Sequence, residues 1–319
     1  MKKSGWLLLF KLALTILSLW IIYKQVIEKE NFADVIRDAK QLANDNDALL
    51  LLIISLFLMV INWSIEAVKW KFLVSKIVAI SFLQSLNAVL SGVTLSFFTP
   101  NRMGEFAGRI LHLPYGTRIR ATFATLIGNA AQLVITIGAG VASAGFIMNF
   151  IELDVRINLL IIAAIFIINI ILLLIYFNIS ILDKWLLKIK LMHKYADHIH
   201  ALSGYSKTEL AKVLLLSFTR YFVFATQYVL ILQMMNVDAD LADLYFAVAA
   251  VFLIITVIPT IALTELTVRG SVAVSIISIV SNNKLGILEA AFIVWFINLV
   301  IPSVLGSFTL LTLKLARQK

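Results

Sequence analysis

Along the chain, long apolar runs alternate with short polar segments. The runs fall near residues 5–23, 48–66, 82–98, 121–146, 157–179, 213–235, 243–258 and 286–313. Several approach the ~20 residues that a helix needs to cross about 30 Å of hydrocarbon, and none shows the short alternating pattern of a membrane barrel. The pattern predicts an all-α, polytopic membrane bundle. Between the runs, Phe32, Val35, Ile36, Ala39 and Leu42 recur at helical spacing. So do Leu182, Trp185, Leu186, Ile189 and Ile199 among lysines. Both linkers read as amphipathic helices lying in an interface plane, or as solvated amphipathic loops.

Composition agrees with the pattern: the 319 residues are 61% hydrophobic and 14% charged. The net charge of +9 does not point to nucleic acid, because the bases sit between apolar runs, where they set membrane orientation. Zero cysteines exclude disulfides, thiolate metal sites and a cysteine nucleophile. The basic opening, with Lys2 and Lys3, is interrupted by Lys11 and followed by no small-x-small cleavage site, so the first run is expected to be a retained span.

The loops set the topology. Lys2 and Lys3, then Lys69, Lys71 and Lys76, then Lys184, Lys188, Lys190 and Lys194, and finally Lys314, Arg317 and Lys319 mark four cytoplasmic regions. Residues 24–47 and the acidic 236–243 go to the other side. The run at 82–98 therefore starts in the cytoplasm, yet Arg118 and Arg120 return there. Residues 82–113 must form a hairpin that dips into the membrane and comes back. By the same logic 243–281 is a hairpin from the opposite face.

The turns of the two hairpins match. "TPNRMGEFAGR" carries Pro100, Glu105 and Arg109; "IPTIALTELTVRGS" carries Pro259, Glu265 and Arg269, with both Glu–Arg pairs separated by 160 positions. The chain thus divides into repeats 1–150 and 151–319 of inverted topology within one membrane domain. That plan is typical of secondary transporters, whose discontinuous helices meet near the midplane.

The chemistry concentrates in these turns. Glu and Arg four apart share a helix face and can pair. Each buried charge near the membrane centre costs about 2.5–3.5 kcal/mol on insertion scales, so partners or water are required. One reading is that each turn closes its own salt bridge. The other is that Arg102, Arg109, Arg269 and Arg220 face a shared cavity and bind an anion, Arg being suited to phosphate by its planar fork, with Glu105 and Glu265 holding them. Thr99 can cap a helix whose first turn accommodates Pro100. Arg220, with Gln227 on roughly its face, also reads as a residue snorkelling to the cytoplasmic interface. Glu66 and Lys69 read as part of an interfacial belt with Trp63, Trp70 and Lys71. "GAGVASAG" (138–145) imitates a phosphate loop but lies inside a span, where small residues let helices pack. His193, His198 and His200 lack thiols or a dense carboxylate cluster, so no metal is expected. No P-loop, G-x-S-x-G or H-E-x-x-H motif occurs, so the chain is expected to be no enzyme of those kinds and to need no cofactor.

"WSIEAVKWKFL", "TPNRMGEFAGR" and "TELTVRGS" resemble the lysylphosphatidylglycerol synthase transmembrane, or flippase-like, family, over essentially the whole chain. Pro100, Arg102, Gly104 and Glu105 match its P-x-R-x-G-E signature, and Glu265 with Arg269 match a looser later element. The resemblance implies a bacterial cytoplasmic-membrane protein that moves lipids between leaflets, with these charged turns near the path; the basic ends of the chain put both termini in the cytoplasm. Two departures stand out: "LIGNAAQLV" offers Asn129 and Gln132 where many members carry charge, and no stretch of these residues reads as the aminoacyl-transferase domain, so lysine transfer is not expected of them. The expected partner is a phospholipid or polyprenyl phosphate, with a homodimer also envisaged. A carrier for a small soluble anion, and a transferase or accessory subunit acting on lipid carriers, stay open.

Overall fold

The computed structural model describes residues 45–97, 99, 102–147, 154–179, 188, 204–258 and 262–313. The first apolar run, both amphipathic linkers, Pro100, Pro259 and the three loop histidines lie outside the described residues. Within them the chain is helical, without strands.

Helix α1 (Asn46–Val74) opens where the Asp45 carboxylate accepts from the N–H groups of Asp47 and Ala48. It runs two turns beyond the apolar stretch at 48–66, because Glu66, Ala67, Lys69, Trp70 and Leu73 are buried rather than at an interface. Helix α2 (Phe82–Ser96) starts at a capping box formed by Ser81 and Gln84, and the short α3 (Gly104–Ile110) folds back on it. Helices α4 (Arg118–Ile147) and α5 (Val155–Phe177) follow. Helix α6 (Lys207–Met234) has a second capping box, Ser206 with Glu209, and Lys76 reaches Glu209 at 2.7 Å. Then come α7 (Leu241–Val257), α8 (Ala262–Ile277), α9 (Lys284–Trp295), a π-helical turn at Phe296–Val300 and α10 (Ile301–Thr312). The π turn lies just ahead of Pro302, whose missing N–H cannot serve the preceding ladder.

Among the described residues, five helical stretches are long and apolar enough to cross a membrane: α1, α4 with its leading turn, α5, α6 and α9–α10. The protein is a multi-pass membrane protein. Helix α5 makes the point most directly: Leu159 (61%), Leu160 (70%) and Leu174 (58%) are exposed along it, and a helix so apolar on its outer face has lipid as its solvent.

Long, short, short, long: that order of helices occurs twice, as α1, α2, α3, α4 and as α6, α7, α8, α9–α10. Three crossings tie the two sets together. In the first, α1 and α6 run antiparallel, since Lys69 meets Ser217 while Gln227 reaches the Ser55 carbonyl. In the second, α2 runs against α10, with Thr94 donating to the Ser303 carbonyl and Ser91 bonded to Thr309. In the third, α7 runs against α4, where Phe146 stacks on Phe246 and Gly140 meets Leu253. Each set thus lends its first short helix to the last long helix of the other.

The apolar core is divided accordingly. One cluster, with Ile231, Leu232, Leu244, Val248, Ile277 and Ile287, fills the space between α6, α7, α8 and α9. Another, with Trp70, Leu73, Ile127, Leu210 and Val213, joins α1, α4 and α6. The small residues of "GAGVASAG" serve packing: Gly138 lies against Asn169 of α5 and Gly140 against α7.

Candidate functional site

The first turn is built by close backbone contact. A methyl group on Gly104 would land on the Leu95 carbonyl, and one on Gly108 would land on that of Ser91. These two glycines, one helical turn apart, let α3 lie directly on α2. Between the helices Arg102 turns the chain with φ 58°, a left-handed conformation that costs a side-chain-bearing residue roughly 1–2 kcal/mol. Helix α3 starts at Gly104 rather than directly after position 100. Thr99 still acts at that start, because its hydroxyl accepts from the Gly104 N–H at 2.6 Å.

Folding α3 onto α2 carries Arg109 inward, where it is 3% exposed. Its guanidinium donates to Glu105 one turn back and, at 2.8 Å, to Oε1 of Glu66 on α1. The other Glu66 oxygen lies 2.8 Å from Lys69 Nζ and 3.4 Å from Arg220 Nε. Lys69 also donates to the Gly128 carbonyl and to Ser217, both at 3.4 Å. Arg220 donates to Gln132 at 3.2 Å and lies over the Trp63 ring. Glu66 therefore gathers three cations in the bundle interior. Such a cluster persists only because every charge has an opposite neighbour.

The second turn makes the corresponding intrahelical pair, Arg269 to Glu265 at 2.8 Å. It also joins the first turn directly, since Arg102 donates to Glu265 Oε1 at 2.6 Å. Each turn closes its own pair, and in addition the two turns are bridged.

Beside the first turn lies a cavity of about 280 Å³, lined among the charged residues by Glu66, Lys69, Arg102, Glu105, Arg109 and Arg220. Trp63, Asn129, Gln132 and Thr136 contribute further lining from α1 and α4, and Thr256 from α7. Gln132 and Arg220 stand at the midpoints of their long helices. Four of the anticipated residues, Arg102, Glu105, Arg109 and Arg220, line this cavity. Glu265 reaches it through Arg102, and Arg269 stands behind Glu265. Arg220 does not lie near a helix end: its helix begins at Lys207, a turn and a half earlier than the apolar run suggests, which places it at the middle. Gln227 turns away from the cavity and is buried against the Ser55 carbonyl and Asn298, in a separate polar layer at the π turn.

The interfacial belt is overturned by burial. Trp70 is fully buried and donates to Thr125 at 3.0 Å, while Lys69 and Glu66 are 1% and 2% exposed. Glu66 is thus the central residue that sequence reasoning assigned elsewhere. The available signal was an oppositely charged pair three apart on a helix, which neutralises itself and so can enter a membrane.

The arrangement has spare hydrogen-bonding capacity. Arg109 Nε and Trp63 Nε1 are buried donors without a hydrogen-bond partner among the described residues. Four cations against two carboxylates, with amide groups from Asn129 and Gln132, make a chamber suited to an anion.

The family model described as the lysylphosphatidylglycerol synthase TM region matches residues 8–313. The chain belongs to this family. No curated protein matches it. Membership in the lysylphosphatidylglycerol synthase transmembrane family fits a membrane protein whose business concerns lipids, and the multi-pass helical architecture agrees.

Proposed function

We propose that this family member is a flippase-like transporter, not an enzyme, that moves an anionic, phosphate-bearing lipid between leaflets of the bacterial cytoplasmic membrane. The observation that carries the reading is the cation-rich cavity beside the midpoints of α4 and α6. Arg102, Arg109 and Arg220 bind the headgroup there, while the acyl or prenyl tails stay in lipid. Glu66, Glu105 and Glu265 hold the arginines between cycles and compete with the substrate, so that it can leave.

The architecture is that of an inverted repeat, 1–150 and 151–319, with re-entrant hairpins at 82–113 and 243–281 and both termini cytoplasmic. Two findings support it. At ~1.5 Å per residue, α2 (15 residues) and α8 (16 residues) are too short to cross about 30 Å of hydrocarbon. The equivalent helices α1 and α6 pack antiparallel, and the α2–α10 and α7–α4 crossings are reciprocal. A pseudo-two-fold axis relating antiparallel spanning helices lies in the membrane plane, which is the relation expected of transporter repeats.

The test is reconstitution in liposomes with fluorescent phospholipids and polyprenyl phosphates. At least one class should cross faster than in empty vesicles, and Arg109→Ala should abolish the gain. If neither class crosses faster, the lipid-transport reading is lost.

A further inference from the structure

The charges around the cavity allow the substrate class to be narrowed, on the reading that the cavity binds the transported headgroup. Among the described residues, the lining holds Lys69, Arg102, Arg109 and Arg220 against Glu66 and Glu105. Following every ion pair out of the lining adds one residue of each sign, Glu265 through Arg102 and Arg269 through Glu265. The excess is two positive charges by either boundary. Lys71, Lys207, Glu209, Lys212, Arg118 and Arg120, the remaining charged residues of α1, α4 and α6 apart from the cap-proximal Asp47, stand outside the lining.

An excess of two cations around one cavity is unfavourable when bare: Lys69 and Arg109 are almost wholly buried and, although Arg102 is partly exposed, the surrounding helices screen the cluster poorly. A phosphodiester brings one negative charge and leaves one cation uncompensated. A phosphate monoester brings nearly two, together with three free oxygens instead of two. The buried donors without partners, Arg109 Nε and Trp63 Nε1, can meet the additional oxygen. We infer that the cavity selects a phosphate monoester in its dianionic form, such as a lipid whose phosphate carries a single ester bond, over the phosphodiester headgroups of ordinary phospholipids.

The chemistry supplies its own control, because a monoester titrates with a second pKa of about 6 and a diester does not. Binding to the purified full chain in detergent can be measured with short-chain phosphatidic acid, farnesyl phosphate, phosphatidylglycerol of matched chain length, and inorganic phosphate. Near neutral pH, phosphatidic acid and farnesyl phosphate should bind at least about tenfold more tightly than phosphatidylglycerol, and lowering the pH to about 5 should weaken them roughly tenfold as the dianion is protonated. Arg220→Gln, which reduces the excess to one, should narrow the monoester preference. Glu105→Gln, at a partly exposed carboxylate, should widen it, so a failure of the first variant to fold leaves a second direction to check.

Equal binding of phosphatidylglycerol and phosphatidic acid overturns the inference, as does monoester binding that ignores pH. Inorganic phosphate binding as tightly as the lipids supports the monoester chemistry and makes the source a soluble anion. Tight, pH-dependent binding of phosphatidic acid without accelerated crossing in vesicles also upholds the charge selection, while removing the transport reading on its own. Rapid crossing of phosphatidylglycerol with no effect of phosphatidic acid does the reverse.

Discussion

Replacing Glu66 by Gln keeps the shape of the side chain and removes one negative charge from beneath three cations. Glu66 and Lys69 are almost wholly buried, as is Arg109, so solvent screens little of the loss. Breaking a buried ion pair from one side typically costs about 3–5 kcal/mol, because the remaining charge stays in place without a partner. Here Arg109 retains Glu105, whereas Lys69 retains only the Gly128 carbonyl and the Ser217 hydroxyl. The larger part of the penalty therefore falls on Lys69. Adding Lys69→Met to Glu66→Gln should recover a part of the stability, with a coupling of about 1–3 kcal/mol in the double-mutant cycle. Thermal unfolding in detergent, followed by tryptophan fluorescence and by retention of monodisperse protein, measures both steps. Glu66→Gln as stable as the native chain, or a double variant no better than the single one, would refute the view that Glu66 is the electrostatic centre of the bundle.

Three further outcomes follow from the geometry. The Arg102–Glu265 bridge involves a side chain 45% exposed, so a double-mutant cycle across it should give only about 0–1 kcal/mol of stability, whereas Arg102→Ala should slow lipid crossing strongly. Trp70→Phe removes the donor to Thr125 and should destabilise by about 1 kcal/mol in the same unfolding assay. Single cysteines at Thr117 and Asn283, in a chain with none of its own, should be labelled from the cytoplasmic and the opposite side respectively; labelling from one side only would end the inverted-repeat proposal.

What the sequence made legible, and what it hid, follows from the range of each interaction. The Glu105–Arg109 and Glu265–Arg269 pairs are four apart, and helix geometry alone predicts them. Arg102 with Glu265 and Arg109 with Glu66 depend on packing between helices distant in sequence, which no periodicity reports. The run 48–66 ends where polar residues begin, a pattern that also marks a membrane interface. In the folded chain those residues point inward and neutralise one another, so α1 continues. The first turns of α6 are polar, so the apolar run starts inside the helix and leaves Arg220 nearer the apparent end than the true middle.

The two reciprocal crossings also differ in how much they can give, and that difference bears on which hairpin moves. Gly306 on α10 and Gly140 on α4 hold corresponding places, each facing the first short helix of the other set. A methyl group on Gly306 would run into the Leu90 carbonyl and the Thr94 hydroxyl. The carbonyl is fixed by the helix, and Thr94 already donates to the Ser303 carbonyl at 2.8 Å. A methyl group on Gly140 would meet the Leu253 side chain: its two Cδ atoms, at 2.6 and 2.9 Å, can move with a rotamer change, whereas its Cβ, at 2.9 Å, moves only with the helix. Overpacking in a rigid contact costs about 1–3 kcal/mol and far less where a side chain can yield. Gly306→Ala should therefore lower the unfolding temperature clearly, and Gly140→Ala by less. If the α2–α10 contact is backbone-rigid and the α7–α4 contact adjustable, the second hairpin is the one free to shift during transport. A bulkier Gly140→Leu should then wedge that crossing and slow lipid passage in protein that remains folded. Equal destabilisation by the two alanine variants, or unchanged transport in Gly140→Leu, would contradict this asymmetry.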